Sequence, residues 1–183
     1  MARILIVFGT THGHTAKISS RMTGTLRTAG HDVSAVNAAA HPPSPAGYDA
    51  VLVASSIHAG YFPKEVTHWV HRYAEVLNSL PTGFMSVCLG VLQNDAAVRE
   101  EIRSINDRFL LGCGWRPRST VTVAGALAYT KYNLVTRWMM RNIAARAGGD
   151  TDTSRDYEYT DWAQVEAFCE AFAAALVPAP QPV

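Results

Sequence analysis

The sequence predicts a doubly wound α/β protein built on a five-stranded parallel sheet. Three observations lead there. Apolar, β-branched runs recur at residues 3–8, 31–36, 48–55, 83–89 and 118–124, and the first of them is nearly unbroken, as a strand covered on both faces requires. Apolar stripes at helical spacing separate most of these runs, and such alternation implies right-handed crossovers onto a parallel sheet. The 183 residues are 48% hydrophobic and 17% charged, enough for one domain with a full core and no need of disulfides. Two strand arrangements fit: the order 2-1-3-4-5, and one half of a dinucleotide-binding sheet.

The first helix is predicted from Ile18, Met22 and Leu26 at spacing four, with Gly30 as its stop. The prolines within residues 38–46 are incompatible with a helix interior, so the second crossover helix is expected to be short or missing. A loop at 56–63 contains Gly60, and Val66, Trp69, Val70, Tyr73 and Leu77 then form one apolar stripe. Val98, Ile102, Ile105 and Phe109 define the next helix, with Gly112 and Gly114 expected to end it. The last helix carries Trp162, Val165, Phe168, Cys169, Phe172 and Leu176, with Thr160 as its expected N-cap and Asp161 in its first turn. Residues 125–158 are too long for an ordinary strand–helix link and hold a helical pattern of their own at 132–147. They are read as an insert within a single domain spanning 1–177, followed by a proline-rich tail at 178–183 that is expected to fray.

Charge and composition exclude several classes. Sixteen Lys+Arg against 15 Asp+Glu leave a net charge of +1, without the basic run of a nucleic-acid binder. No apolar run is long enough to span a bilayer. The N-terminal apolar run passes straight into a Gly/Thr loop, so no export signal is expected and the cytoplasm is the expected compartment. Cys88, Cys113 and Cys169 form no Cys-x-x-Cys pair and are expected to be core thiols. His12/His14 and His68/His71 have spacings open to a metal, but no cysteine supports either pair, and no metal site is expected.

Gly9-Thr-Thr-His-Gly-His-Thr15 joins the first strand to the first helix. It lacks the Lys of a nucleoside-triphosphate loop, the Gly-x-Gly-x-x-Gly of a dinucleotide site and the Cys of a phosphatase loop. What remains is a hydroxyl-rich turn opening a helix, whose N–H groups and dipole suit a phosphate monoester. Thr10, Thr11 and Thr15 add hydroxyl donors, and the pocket is read as one lined by threonines without a fixed cation. In an open parallel sheet the ligand then lies beyond the strand C-termini, at the switch between strands one and three, flanked by residues 56–63 and 89–94.

This loop resembles the phosphate loop of the flavodoxin superfamily, Ser/Thr-x-x-Gly-x-Thr, here Thr10-Thr-His-Gly13-His-Thr15. Later motifs narrow the likeness: Ser56-Ile-His-Ala-Gly60, Trp115-Arg-Pro117, Ala124-Gly-Ala-Leu127 with Tyr129 and Tyr132, Gly148-Gly-Asp-Thr-Asp-Thr153, and Tyr159-Thr-Asp-Trp162. Together they resemble the flavodoxin-like, quinone-dependent protoporphyrinogen oxidase family over nearly the whole chain. The resemblance implies a flavodoxin-like sheet in the order 2-1-3-4-5 and a bound FMN. It further implies oxidation of a tetrapyrrole precursor in heme biosynthesis, with quinone (menaquinone) as acceptor, and work at the cytoplasmic membrane face. It places Thr10, Thr11, His12, Gly13, His14 and Thr15 on the FMN phosphate. It places the backbone of Ser56, Ile57, His58, Ala59 and Gly60, and of Val87, Cys88, Leu89, Gly90 and Val91, beside the isoalloxazine. Gly149, Thr151, Asp152 and Thr153 would close the far side. The chain departs from one member of that family in two places: residues 89–97 contain no Lys or Arg where that member has a basic stretch, and His58 stands where it has Arg.

In such a protein the flavin carries the redox chemistry, and no side-chain nucleophile is expected. Close approach to the ring is expected at Gly60 or Gly90, stacking from Tyr61 or Phe62, and a proton-transfer role for His58. Flavodoxin-like electron carriers crowd carboxylates around the ring. The near-neutral charge here favours an oxidoreductase, with a general FMN quinone reductase or a flavodoxin-like electron-transfer protein as alternatives. In the insert, Leu134, Val135, Trp138, Met139 and Ile143 fall on one side of the helical pattern, with Arg137, Arg141 and Arg146 elsewhere. A basic amphipathic helix of this kind suits a membrane surface or a flat apolar ligand. Arg137 and Arg141 are candidates for gripping substrate carboxylates.

Overall fold

The computed structural model describes residues 1–93, 95–146 and 149–176. The tail expected at 178–183, the end of the insert pattern at 147–148, Asn94, and the side chains of Met139, Ile143 and Arg146 lie outside the described residues. Strands β1 (Arg3–Gly9), β2 (Asp32–Asn37), β3 (Ala50–Ser56), β4 (Thr82–Val87) and β5 (Ser119–Val123) form one parallel sheet in the order β2-β1-β3-β4-β5. The dinucleotide half-sheet is thereby excluded.

Period-two alternation along the strands builds two core layers. Ile4, Ile6, Leu52, Ala54 and Met85 point to one face, where helices α1 (His14–Thr28) and α6 (Trp162–Leu176) cover them with Ile18, Met22, Leu26, Val165, Cys169 and Phe172. Leu5, Val7, Val51, Val53 and Phe84 point to the other, under α2 (Lys64–Arg72), α3 (Ala74–Ser79) and α4 (Ala96–Cys113) through Val66, Trp69, Val70, Leu77 and Phe109. Each fully buried side chain of this kind contributes about 1.5–3 kcal/mol. A charge introduced on any central strand therefore acts on a layer that has no solvent side.

Several boundaries differ from expectation for local reasons. Tyr73 leaves helical geometry (φ −112°, ψ 16°), so the stripe from Val66 to Leu77 is divided between α2 and α3. Between β2 and β3 only two 3-10 turns form, Ala38–Ala40 and Pro45–Gly47, as the prolines dictate. Strand β4 stops at Val87 because Cys88 Sγ accepts the Gly90 N–H at 3.4 Å and opens a 3-10 turn, Leu89–Leu92. Gly112 lies inside α4, and the left-handed Gly114 (φ 69°) ends it. Asp161, not Thr160, caps α6, accepting the Gln164 N–H at 3.2 Å. Cys113 and Cys169 are buried thiols, whereas Cys88 is half-buried.

The insert is tied off at its base. Strand β6 (Ala126–Leu127) pairs antiparallel with β7 (Tyr157–Glu158). Between them runs α5 (Leu134–Arg146), and Leu127, Ala128, Tyr129, Tyr132 and Ala144 form a small separate core that reaches Leu89 and Met140. This holds the insert against the edge of the sheet where the strands end.

Candidate functional site

At the C-terminal ends of β1, β3 and β4 a cleft of about 350 Å³ opens. Parallel topology produces it: the chain leaving β1 crosses to one face and the chain leaving β3 to the other, so the two loops part. Thr10, Thr11, His12, His14 and Thr15 form the first wall, Ser56, Ile57, His58 and Ala59 the second, and Val87, Cys88, Leu89 and Gly90 the third. The insert adds a fourth wall of Gly125, Ala126, Tyr132 and Met140.

The first wall is a helix start left open. Gly13 precedes α1 in the left-handed region (φ 91°), and no side chain caps the helix. The N–H groups of its first turn therefore have no intrahelical acceptor and face an anion-binding position. Thr10 Oγ1 accepts the Gly13 N–H at 2.9 Å and fixes the loop, while Thr15 is buried at its base. Among the described residues no Lys or Arg lines the cleft, as expected, but one cation rests on the loop from outside it. Lys131, from the 3-10 turn Tyr129–Lys131 of the insert, donates from Nζ to the His12 carbonyl at 3.1 Å.

Two histidines are held neutral by this environment. Burial lowers the His14 imidazole below its ordinary value of 6.5; the Glu158 carboxylate opposes this, and Lys17 and Lys131 add to it. Thr160 Oγ1 donates to the buried Ala124 carbonyl at 2.8 Å, so it can only accept from His14 Nε2, 2.6 Å away. That fixes His14 as the Nε2–H tautomer, with Nδ1 3.8 Å from Glu158. Burial also lowers His12, helped by His58 and Lys131. The His12 ring meets Tyr132 edge-on at 4.7 Å and His58 at 5.6 Å.

The second wall ends in a tight turn. His58 and Tyr61 exchange both backbone hydrogen bonds (2.8 and 3.0 Å), and Ala59 (φ 49°) and Gly60 (φ 82°) between them are both left-handed. Gly60, Tyr61 and Phe62 line a neighbouring pocket rather than the cleft. Phe62 is no stacking residue: its ring lies 4.5 Å from Phe109 and 5.5 Å from Phe84, inside the core. Gly90 borders the cleft, but a Cβ there would stand 3.1 Å from Ile102 Cδ1, so packing against α4 also requires it.

Of the residues named from sequence, the fold brings the 10–15 loop, Ser56–Ala59 and Val87–Gly90 together. Val91 faces a groove beside α4 instead. Gly149, Thr151, Asp152 and Thr153 are absent from the cleft walls. Gly149 N–H closes onto the Ala144 carbonyl at 2.8 Å, and Asp152 accepts from Ser154 at 2.7 Å within its own turn. The far side is closed by Tyr132 and Met140. Arg137 and Arg141 do not line the cleft either; Arg137 Nη2 donates to the Tyr132 carbonyl at 3.2 Å, and Arg141 is exposed. Sequence reading missed Gly125, Ala126, Tyr132 and Met140 as cleft residues, and Lys131 against the loop outside the cleft. The motifs around Ala124–Leu127 and Tyr132 pointed to the segment but not to which side chains turn inward.

A family model described as a flavodoxin domain matches residues 5–154. The chain belongs to the flavodoxin family. Within that family it is 33% identical over 172 residues to the protoporphyrinogen IX dehydrogenase [quinone] of Escherichia coli K12, covering 93% of this chain and 94% of that protein. It is 33% identical over 138 residues to the enzyme of that name from Leishmania major, covering 74% of this chain and 58% of the relative. Among solved structures it resembles oxidised flavodoxin 1 from Bacillus cereus (TM-score 0.58, 12% identity, 96% and 99% of the two chains). It likewise resembles the flavodoxin of Streptococcus pneumoniae TIGR4 (TM-score 0.56, 17% identity, 95% and 99%).

The residues of this flavodoxin-family cleft fit a flavin. Ser56 Oγ is buried at the rim of β3 without any hydrogen-bond partner, a group that a polar ring edge would satisfy. The uncapped first turn of α1 supplies donors for an anionic tail. Ile57, Val87, Leu89 and Met140 give apolar walls between them.

Proposed function

We propose that this chain binds FMN and oxidises protoporphyrinogen IX, handing the electrons to a quinone. The observation that carries this reading is the near full-length likeness to the Escherichia coli dehydrogenase, which includes the insert that walls the cleft. Bound FMN would supply hydride acceptance and the return of electrons to quinone; the chain supplies position and electrostatics. The open first turn of α1 with Thr10, Thr11 and Thr15 holds the phosphate end, and Ser56 Oγ and the backbone of residues 56–59 and 87–90 hold the ring. His12 and His58 line the cleft with their rings 5.6 Å apart, and His12, kept neutral by burial, could accept a proton from the reaction. No carboxylate lines the cleft among the described residues, which supports an oxidoreductase over a carrier that must hold its reduced ring under negative charge.

The same reading puts α5 against lipid. Leu134, Val135 and Trp138 are 81%, 76% and 68% exposed on one helix, with the exposed Arg141 on the same helix.

The test is anaerobic turnover. Protein reconstituted with FMN is mixed with protoporphyrinogen IX and a soluble quinone, and porphyrin fluorescence is followed. Quinone-dependent appearance of porphyrin above the uncatalysed rate is expected. An FMN-loaded protein that leaves protoporphyrinogen untouched refutes the substrate, and a chain that takes up no flavin refutes the cofactor.

A further inference from the structure

A phosphate monoester brings a charge of about −1.5 to −2 into its site at neutral pH. The loop from Gly9 to Thr15 has only amides, hydroxyls and imidazoles to meet it. The two imidazoles inside it are held neutral by burial, as derived above. Lys17, one turn into α1, is already committed: its Nζ pairs with Glu158 at 2.5 Å and stands 5.2 Å over the Trp162 ring.

Lys131 is different. Its Nζ donates to the His12 carbonyl and lies 3.5 Å from where a Cβ on Gly13 would stand, directly on the loop. Among the described residues no carboxylate lies within 4.0 Å of it, although Asp156 and Glu158 line the same hollow. Its backbone is firmly placed. The Lys131 N–H bonds to the Ala128 carbonyl at 2.9 Å, the Thr130 N–H to Asp156 Oδ1 at 2.8 Å, and the fully buried Tyr129 donates its hydroxyl proton to the Asp150 carbonyl at 2.7 Å. The insert core thus carries an ammonium, held in no ion pair among the described residues, to a loop with no Lys or Arg of its own.

We infer that Lys131 is the charge partner of the cofactor phosphate, so that the insert adds to the loop's own hold on that group and strengthens the site's preference for a phosphorylated flavin over the uncharged one. This rests on the FMN reading above. It also means that insert docking and phosphate binding support each other through one side chain.

The test compares FMN with riboflavin, titrated into apoprotein of wild type, Lys131→Met and Lys131→Arg, and followed by quenching of flavin fluorescence at low and raised salt. A charge-assisted hydrogen bond lost from a site costs roughly tenfold or more in affinity. Lys131→Met should lose about that much for FMN and keep riboflavin affinity within about twofold, while Lys131→Arg retains FMN. The salt dependence of FMN binding should fall in Lys131→Met. Unchanged FMN affinity in Lys131→Met overturns the inference and leaves the FMN reading intact. Equal loss of FMN and riboflavin overturns it too, since that reports a structural role for the lysine. A wild type that binds neither flavin brings down both readings together.

Discussion

A hydroxyl has one proton to give, and Thr160 gives its proton to the Ala124 carbonyl. With the His14 Nε2 contact to the same oxygen, that bond settles the tautomer of His14 and links the segment after β5 to the start of α1. It also explains why Thr160 does not cap α6: a threonine just ahead of a helix is a good cap, but its hydroxyl is engaged elsewhere and Asp161 takes that role. The pH consequence follows from the sign of the shift. The folded pKa of His14 is lowered below 6.5, mainly by burial, so the unfolded chain binds the proton more readily. The stability contributed by neutral His14 is complete above 6.5 and is lost as pH falls toward the folded value. Thermal melts should therefore show a midpoint that drops on mild acidification, and His14→Gln should flatten that drop; an identical pH profile in the variant would count against the assignment. Gly9 makes a second case at this scale. A Cβ there would stand 2.4 Å from Val66 Cγ2 and 3.2 Å from Pro63 Cγ, so Gly9→Ala should cost about 1–3 kcal/mol in urea unfolding, as overpacking does. In sequence Gly9 reads only as the start of a loop. Its real constraint is a side chain on α2, which no local pattern reveals.

At the scale of elements, the strands and the main helices were legible because burial on both faces writes long apolar runs, and one-sided burial writes stripes of period three and four. The insert was not legible to the same depth. Strands β6 and β7 are two residues each, too short for any period, and the bond from Lys131 to His12 spans 119 positions. The turn at 58–61 lies between these cases. Gly60 announces a turn, but an alanine in the left-handed region at Ala59 does not, and such a residue is costly unless its surroundings hold it. Both central residues have positive φ, the condition of a type I′ hairpin turn. The two positions should respond oppositely to substitution. Gly60→Ala adds a Cβ to a left-handed residue and should cost about 1 kcal/mol. Ala59→Gly removes that strain while loosening the unfolded chain, and should stay within about 0.5 kcal/mol of wild type. Equilibrium unfolding of both variants checks the asymmetry. Equal effects would mean that the turn does not hold this conformation in solution.

At the scale of the whole molecule, one surface stands apart. No helix among the described residues is long and apolar enough to cross a membrane. Yet Leu134, Val135 and Trp138 expose most of their surface along one end of α5, on the insert that also walls the cleft. Full burial of such side chains contributes about 1.5–3 kcal/mol each, and three of them must also offset the cost of ordering a protein on a surface. An exposed basic residue near an anionic leaflet adds about 1 kcal/mol, and the exposed Arg141 lies on the same helix. The sum favours weak, reversible and salt-sensitive adsorption rather than anchoring. Flotation with vesicles containing anionic lipid should therefore carry the protein at low salt and release it at raised salt, whereas neutral vesicles should carry little. Leu134→Glu combined with Trp138→Glu should abolish flotation. Because these side chains do not line the cleft, the double variant should still turn over a soluble quinone at the wild-type rate. Its rate should fall only with a long-tailed quinone dissolved in the vesicles. Loss of both activities would place the patch in the folding of the insert, and loss of neither would leave it without a role in reaching the acceptor.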